Sequence, residues 1–313
     1  MLSIVLLALT GAVSISAQTG PKIVLSNDDG WAVAHIRAQH TALAAAGYNV
    51  VLSCPALNQS GTGSSSRTPT VLTTPCEFDT CPVGSPATGF NASEPRLNYV
   101  NAFPVDAAKF GIETLAPQFF DGSKPDFVVS GPNVGSNLGL DTLFSGTVGA
   151  AAEAALEGIP SAAFSGATGD QLSYTTLTTS PTSANTEAAL LYSALTVKVL
   201  AVLLASPAPV LPPGIVLNVN FPPAANCTSA DAVQFVLTRI YYDLFARDVE
   251  ACGSTRLPTE SAVVALPGCF ASVSVFHAAT KLDANATMQA VVLGKLGSLL
   301  GCSGNSLVSQ DRI

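Results

Sequence analysis

Charged side chains are scarce in this chain of 313 residues, of which only 11% are Asp, Glu, Lys or Arg. The 13 basic residues are outnumbered by 21 acidic ones, the net charge is −8, and no cluster of Lys and Arg occurs. Binding to a phosphate backbone needs such a cluster, so the composition argues against a nucleic-acid-binding protein. An anionic small substrate would have to be attracted locally, by a metal ion or by backbone N–H groups. The mean hydropathy of +0.42 predicts a large buried core and not a membrane protein.

Several motifs that would indicate a particular chemistry are also missing. No G-x-S-x-G elbow occurs, and the nearest frame has Asn133 in the serine position. No Walker A sequence occurs, and Gly61-Thr62-Gly63 runs into serines instead of a helix, so a dinucleotide site is not indicated. No two cysteines have C-x-x-C spacing, which argues against zinc. Of the three histidines, His35 and His40 fall on a predicted helix, where packing or surface roles are favoured.

The first 17 residues have the pattern of a secretory signal peptide, an apolar run followed by small residues at the expected cleavage point. The usual preceding positive charge is missing, and the alternatives are a buried helix or a membrane anchor. The apolar run is short for a membrane span, so we expect cleavage and export. Four Asn-x-Ser/Thr sequons also fit a secreted, extracellular protein, and they lie at Asn58, Asn91, Asn226 and Asn285.

Seven cysteines are many for a cytosolic chain and few for a disulfide scaffold. Cys76 and Cys81 flank four residues and are expected to close a small loop. We expect a second pair between Cys252 and Cys269. The odd number leaves at least one thiol free, and Cys54, which follows an apolar run, is the candidate.

The stretch on which the rest of the interpretation depends is KIVLSNDDGW, residues 22–31. Ile23-Val24-Leu25 predicts a strand buried on both faces of a parallel sheet, and the Asn, Asp and Gly residues that follow would end it. Asp28 and Asp29 are therefore expected at the carboxyl end of the first strand, where open α/β sheets hold their ligands. The two carboxylates repel each other, and a divalent cation is their simplest partner. The alternative is a plain turn in which Asp29 caps the next helix.

Strand and helix patterns alternate along the chain, which predicts a doubly wound α/β fold. The residues at 54–96 lose all periodicity and predict a long loop or flap, and 261–276 contains strand-like pieces. Helix 185–205 is long enough to span a bilayer, but Glu187 and Lys198 lie inside it, so a core helix is favoured. The predicted strands are 48–53, 97–100, 125–130, 160–165, 214–220 and 233–241, and the predicted helices are 33–46, 104–115, 147–158, 185–205 and 284–300.

Three further segments carry side chains suited to a ligand. Asn133 follows the strand at 125–130 and should reach the same sheet edge as the aspartates, although an Asn in a tight turn is an equal alternative. Ser145-Gly146-Thr147 opens a helix whose free N–H groups would receive a phosphate, but Ser145 as a simple N-cap is the more ordinary interpretation. Asn58-Gln59-Ser60-Gly61 starts the long loop, and Ser60 could add a hydroxyl oxygen, although surface loops are rich in serine.

Taken in order, these segments resemble the SurE family of metal-dependent phosphatases, most closely its secreted fungal members. The likeness covers roughly residues 22–222 and is weaker over the C-terminal part, 226–313. It implies a Rossmann-like, mostly parallel sheet and hydrolysis of phosphate monoesters, commonly nucleoside 5′- or 3′-monophosphates, sometimes as a broad acid phosphatase. It also implies a dimer or tetramer. The matching motifs are SNDDG at 26–30, NQSG at 58–61, SGPNVGSNLG at 130–139, FSGTV at 144–148 and LNVNFP at 217–222.

By the same resemblance, a divalent metal is held by Asp28, Asp29, Ser60 and Asn133, and four oxygen ligands suit Mg²⁺ or Mn²⁺ better than zinc. With a metal at this site, we expect the remaining phosphate oxygens to be held by Asn137, Ser145, Gly146 and Thr147. The nucleophile is a metal-bound water or the Asp28 carboxylate, and we favour water because a ligating carboxylate attacks more weakly. His277 is the candidate for the acid that protonates the leaving group.

The chain departs from the family pattern at two places. Ala34-His35 stands where the family usually has Pro-Gly, and Ala102-Phe103 stands where Gly-Thr precedes Pro-x-Asp. Both changes affect the expected shape of the substrate pocket. We expect a single domain over 18–313 that carries 54–96 as an insertion. Asn58 is expected to stay unglycosylated, because a glycan there would crowd Ser60.

Three other functions fit parts of the pattern. The first is a secreted nucleotide- or phosphate-binding protein without turnover. The second is a glycine-rich α/β hydrolase, which the missing elbow disfavours, and the third is a structural wall protein whose Asp-Asp-Gly is only a turn. Sensitivity of phosphate-ester hydrolysis to EDTA separates the metal-dependent phosphatase from all three.

Overall fold

The computed structural model describes residues 20–227 and 229–303, so the predicted signal peptide lies outside the described residues. The fold is built on a nine-stranded sheet with helices on both faces. The strands are β1 (Lys22–Ser26), β2 (Asn49–Pro55), β3 (Thr88–Asn91), β4 (Glu94–Val100), β5 (Phe127–Val134), β6 (Ser161–Gly166), β7 (Ile215–Phe221), β8 (Gln234–Thr238) and β9 (Phe270–His277). The helices are α1 (Ala34–Ala45), α2 (Pro104–Phe110), α3 (Ala116–Phe119), α4 (Asp141–Phe144), α5 (Gly146–Leu156), α6 (Thr176–Thr179), α7 (Ala184–Leu204), α8 (Glu260–Val264) and α9 (Ala286–Leu296).

The strand order confirms the predicted Rossmann-like fold. The sheet runs β3-β4-β2-β1-β5-β6-β7-β9-β8, and the six strands from β4 to β7 are all parallel. Their order along the chain is the 3-2-1-4-5-6 arrangement of doubly wound sheets. Strand β3 adds an antiparallel edge, and β9 runs antiparallel to β7 at the other side. The reversal of strand order therefore falls between β1 and β5.

Strand β1 is buried on both faces, as its sequence predicts. Ile23 and Leu25 belong to the larger core cluster, which includes residues of α1 and α7. Val24 belongs to the smaller cluster on the opposite face, with side chains that follow α2. Alternate residues of a strand point to opposite faces, so an unbroken apolar run suits a strand covered by helices on both sides.

Helix α7 is long and apolar enough to cross a membrane by length and composition alone. Half of its most apolar window is buried within the fold. Tyr192 of this helix is fully buried, stacks on Phe221 with ring centroids 5.6 Å apart, and donates a hydrogen bond to the Pro222 carbonyl. These contacts are those of a core helix.

Three predicted segments differ in the structure. The segment 54–96 is not all loop, because it contains β3 and the first residues of β4. Strand β5 continues to Val134 with a register shift between Ser130 and Asn133, so it extends beyond the predicted end at residue 130 and includes Asn133. The segment 261–276 begins with α8, a short helix capped by the Thr259 hydroxyl, and only then enters β9. The single domain over 18–313 stays a prediction.

The disulfides confirm one predicted pair and correct another. Cys76 is bonded to Cys81 and Cys54 is free and buried, as expected. The prediction that Cys252 pairs with Cys269 is wrong: the bonds are Cys227–Cys269 and Cys252–Cys302. The reason is the antiparallel pairing of β7 with β9, which brings the chain after β7 beside the start of β9. Sequence spacing alone does not contain that pairing.

Candidate active site

The acidic pair lies where the sheet reverses its order. Asp28 and Asp29 follow the end of β1 at Ser26, and Asn133 lies near the end of the adjacent parallel strand β5. Both aspartates are almost fully buried, with 3% and 0% of their surface exposed. Strand order thus places the predicted residues together at the carboxyl edge, where doubly wound folds bind ligands.

Asp28 is held by the first turn of α5. The Thr147 hydroxyl donates to Asp28 Oδ1 at 2.5 Å and lies 3.2 Å from Asn133 Oδ1. Burial raises the pKa of Asp28, while hydrogen bonding from Thr147 and from the backbone of Gly146 acts to lower it. The helix N-terminus therefore favours the carboxylate form that burial disfavours. One hydroxyl joins the loop after β1, strand β5 and α5.

Asp29 is fixed by donors on both of its oxygens. The backbone N–H of Val134 donates to Oδ2 at 2.9 Å, and the Gln171 amide donates to Oδ1 at 2.7 Å. The pKa of Asp29 is raised well above its usual range, chiefly by burial and then by repulsion from Asp28. Among the ion pairs of the described residues, none involves either aspartate. Two buried carboxylates without a basic partner suit a cation.

The other donors that could complete a cation site are neutral oxygens. Within residues 20–227 and 229–303, no three His, Cys, Asp or Glu side chains form a group that could hold a metal. The Asn133 amide donates to the carbonyls of Val134 and Gly135, at 3.2 and 2.6 Å. Its oxygen is thereby turned towards Thr147 and Asp28. The donor set of carboxylates, an amide oxygen and a hydroxyl fits a hard divalent cation.

Ser60 reaches this cluster through Gln171, a residue that the sequence analysis missed. The Gln171 Nε2 that donates to Asp29 also lies 3.4 Å from Ser60 Oγ. Asn58 Nδ2 donates to Gln171 Oε1, and Asn58 Oδ1 accepts from the Ser60 backbone N–H at 2.8 Å. Gln171 is 142 residues from Asp29 in sequence and lies in no recognisable motif, so the sequence offers no signal for it.

The residues predicted to bind phosphate lie at the same rim of the sheet. One of them, Ser145, has the role of a helix N-cap. Ser145 is the N-cap of α5, since its side chain accepts from Val148 N at 3.1 Å. Gly146 packs so closely that an added Cβ would lie 2.8 Å from Asp28 Cβ. Asn137 is held by Ser165 and Asn220, which lie at the ends of β6 and β7. Their assignment to phosphate stays a prediction.

A third carboxyl group, also missed, lies beside the acidic loop. Glu77, in the loop closed by Cys76–Cys81, would overlap a Cβ added at Gly30, and its Oε2 is buried without a hydrogen-bond partner. Burial raises the pKa of Glu77 to about 8. A neutral carboxyl is therefore favoured at this position near pH 7.

The histidines do not belong to this cluster. His277 lies opposite Ile215, the first residue of β7, and so at the amino edge of the parallel strands. The suggestion that it protonates the leaving group is therefore wrong. His35 and His40 are buried on α1, and burial lowers the pKa of each to about 4. They are neutral packing residues.

Known proteins resemble this chain over most of its length. Residues 23–246 match the sequence model of a family described as survival protein SurE. An acid phosphatase of Yarrowia lipolytica is 36% identical over 282 residues, which cover 81% of this chain and 78% of that protein. A 5′-nucleotidase SurE of Thermosynechococcus vestitus is 36% identical over 238 residues, with 75% and 76% covered.

The fold has a solved counterpart as well. The crystal structure of a SurE protein from Aquifex aeolicus superposes with a TM-score of 0.58 at 23% identity, covering 88% of this chain and 99% of that one. At this identity the likeness concerns the fold. The match over residues 23–246 and the two relatives at 36% identity show the family. This chain therefore belongs to the SurE family.

Proposed function

We propose that this chain is a metal-dependent phosphomonoesterase acting on nucleoside monophosphates or other phosphate monoesters. The observation that carries the proposal is the buried pair Asp28 and Asp29, which stands at the switch point of the sheet without a basic partner among the described residues. The names of the relatives, acid phosphatase and 5′-nucleotidase, support the same reaction class.

The proposed cation ligands are Asp28, Asp29, Ser60 and Asn133, and Mg²⁺ or Mn²⁺ suits this oxygen set best. When bound, the cation neutralises the phosphate and polarises a phosphoryl oxygen. The chain's own contribution is orientation. Asp29 is held by Val134 and Gln171, and the Asn133 oxygen is turned inwards by its two donated hydrogen bonds.

The phosphate is proposed to lie at the N-terminus of α5. That end of a helix favours negative charge, both that of the Asp28 carboxylate and that of an anionic substrate. Ser145 is the N-cap of α5, Gly146 and Thr147 begin its first turn, and Asn137 lies at the same rim. This arrangement would attract the anion locally, which a chain with a net charge of −8 requires.

We also propose that the protein is exported. Three disulfides occur within residues 20–227 and 229–303, and such bonds persist in oxidising compartments. The predicted signal peptide and the four sequons agree with this location.

The proposal is tested by phosphate release from p-nitrophenyl phosphate and from nucleoside 5′- and 3′-monophosphates. EDTA should abolish release, and added Mg²⁺ or Mn²⁺ should restore it. A binding protein without turnover would retain nucleotide and release no phosphate. Hydrolysis that is unaffected by EDTA would contradict the metal role.

Asp28→Asn is the sharpest single substitution. It keeps the size of the side chain and removes the charge that faces the cation and α5. We expect activity to fall by about 100-fold or more, while the thermal unfolding transition is retained. A variant with activity close to that of the wild type would refute the role of Asp28.

A further inference from the structure

The loop that follows β6, residues 167–174, carries Gln171 into the acidic cluster. It is docked by backbone hydrogen bonds to the first residue of α1 and to the chain just before it. Ala34 N–H donates to the Leu172 carbonyl at 2.8 Å, and Tyr174 N–H donates to the Ala32 carbonyl at 2.9 Å. The loop is therefore tied to the same segment that bears Asp28 and Asp29.

The loop is also docked by side chains. The Asp170 N–H donates to Asn185 Oδ1 at 2.6 Å, and the Thr168 N–H donates to the Tyr192 hydroxyl oxygen at 3.0 Å. Gly169 packs against the His35 ring so closely that an added Cβ would lie 2.5 Å from its Cε1. Since Gly169 has a φ of +134°, glycine is required there on both counts.

Two of these docking contacts come from the positions at which the chain departs from the expected Pro-Gly. A proline at position 34 would have no N–H for the Leu172 carbonyl, and a glycine at position 35 would leave Gly169 without its ring contact. The His35 ring is fully buried and packs directly against this loop at Gly169. Ala34 and His35 thus serve the placement of the 167–174 loop.

We propose that Gln171 is a positioning residue which, through this docked loop, holds Asp29 and Ser60 in the arrangement that binds a divalent cation. The inference rests on the proposed function, because it takes these two residues as ligands. One amide group joins Asn58 and Ser60, which lie in one loop, to Asp29, which follows β1. Groups that orient metal ligands from behind typically change metal affinity by about 10- to 100-fold when they are removed.

The first test measures Mn²⁺ binding by isothermal titration calorimetry on the full chain, without substrate. Gln171→Met keeps the length of the side chain and removes its donors. We expect its Kd for Mn²⁺ to rise by about 10- to 100-fold. Gln234→Met, on an exposed position of β8, is the matched control and should leave the Kd unchanged.

The second test reaches the site from outside. Ala34 is the first residue of α1, where proline fits a helix well, and Val33 before it is extended as a residue before proline should be. Ala34→Pro therefore removes one hydrogen bond to the 167–174 loop without opposing the helix. We expect weaker Mn²⁺ binding in this variant and no further loss when it is added to Gln171→Met.

The outcomes separate cleanly. Unchanged Mn²⁺ affinity in Gln171→Met, with only a lower melting temperature, would show that Gln171 merely supports the loop, and it would overturn the inference. Tighter binding would show that the amide competes with the cation, which overturns it as well. If the wild type itself binds no Mn²⁺ or Mg²⁺, the proposed metal-dependent function fails first and takes the inference with it.

Discussion

Thr147 illustrates how few atoms hold the site together. Its hydroxyl is fully buried, donates to Asp28 and lies within hydrogen-bonding distance of the Asn133 oxygen. The residue before it, Gly146, has no side chain, and this lets the Asp28 carboxylate approach the first turn of α5. Contact of this kind, with helix N–H groups and a hydroxyl around one carboxylate, depends on the absence of a single methyl group.

Gly146→Ala should therefore displace Asp28. The added Cβ would lie 2.8 Å from Asp28 Cβ and 2.9 Å from Pro104 Cγ, distances at which one group must move. We expect phosphatase activity to fall by about 100-fold, since small misplacements at a reacting centre have effects of this size. The control is Gly294→Ala in α9, where nothing lies within 4 Å of the new methyl group, and activity should not change. Equal activity in both variants would refute the close-approach argument.

Asn58 is expected to remain without a glycan, although it is exposed and begins a sequon. Its Nδ2, the atom that a glycan would occupy, donates to Gln171, and its Oδ1 accepts from the Ser60 backbone. Mass spectrometry of intact glycopeptides from protein secreted by a eukaryotic host should find little occupancy there. Asn285, exposed at the N-terminus of α9, is the internal comparison. High occupancy at Asn58 together with full activity would contradict the proposed role of Ser60.

The sequence allows site residues to be predicted where they follow the ends of strands. It does not do so for residues that reach the site from loops distant in sequence. Asp28, Asp29 and Asn133 could be placed on one edge because parallel strands end together. Gln171 and Glu77 could not, since each comes from an irregular segment whose path depends on tertiary contacts. For Ser145 the more ordinary interpretation of the sequence is confirmed, because its side chain caps α5.

The loop closed by Cys76–Cys81 packs against the loop that bears Asp28 and Asp29. Trp31 Nε1 donates to Thr80 Oγ1 at 3.0 Å, and the Glu77 N–H donates to the Ala56 carbonyl at 3.1 Å. These contacts place the Glu77 carboxyl group against Gly30. The loop thus inserts a third acidic group beside two others.

This insertion predicts a pH-dependent stability. The pKa of Glu77 is about 8 in the folded chain and about 4.5 when it is unfolded, so the folded state binds the extra proton between these values. The contribution of Glu77 to the free energy of unfolding is therefore greatest below pH 4.5. It falls as pH rises towards 8, by at most about 1.4 kcal/mol per pH unit. Glu77→Gln, measured by urea unfolding in EDTA, should lose this part of the pH dependence. If the free energy of unfolding changes with pH in the same way for Glu77→Gln and for the wild type, the contribution of Glu77 is refuted.

The elements themselves were predictable where their apolar pattern is long. Helix α7 and strands β2 and β6 lie within two residues of the predicted ranges, because buried elements carry continuous apolar runs. Strand β3, with the sequence TGFN, has neither alternation nor length, and it forms because β4 offers it an edge. Helix α8 spans five residues and depends on its Thr259 cap, which a periodicity of 3.6 does not reveal.

At the scale of the whole molecule, two disulfides lie within the C-terminal part of the chain, which resembles the family less. Cys227–Cys269 links the segment after β7 to the start of β9, and Cys252–Cys302 joins two irregular segments on either side of α9 and β9. We infer that their role is to hold β8 and β9 onto the parallel sheet.

Loss of Cys252–Cys302 should therefore destabilise the protein more than loss of Cys76–Cys81. A crosslink stabilises mainly by restricting the unfolded chain, and its effect grows with the length of the loop that it closes. The two bonds close loops with sequence separations of 50 and 5, for which the chain-entropy estimate is about 4 and about 2 kcal/mol. Paired Cys→Ser variants of each bond, compared by urea unfolding at the same pH, should show this order. If removal of the Cys76–Cys81 bond lowers the free energy of unfolding by as much as removal of Cys252–Cys302, native contacts of the small loop outweigh chain entropy. The ordering by loop length is then refuted.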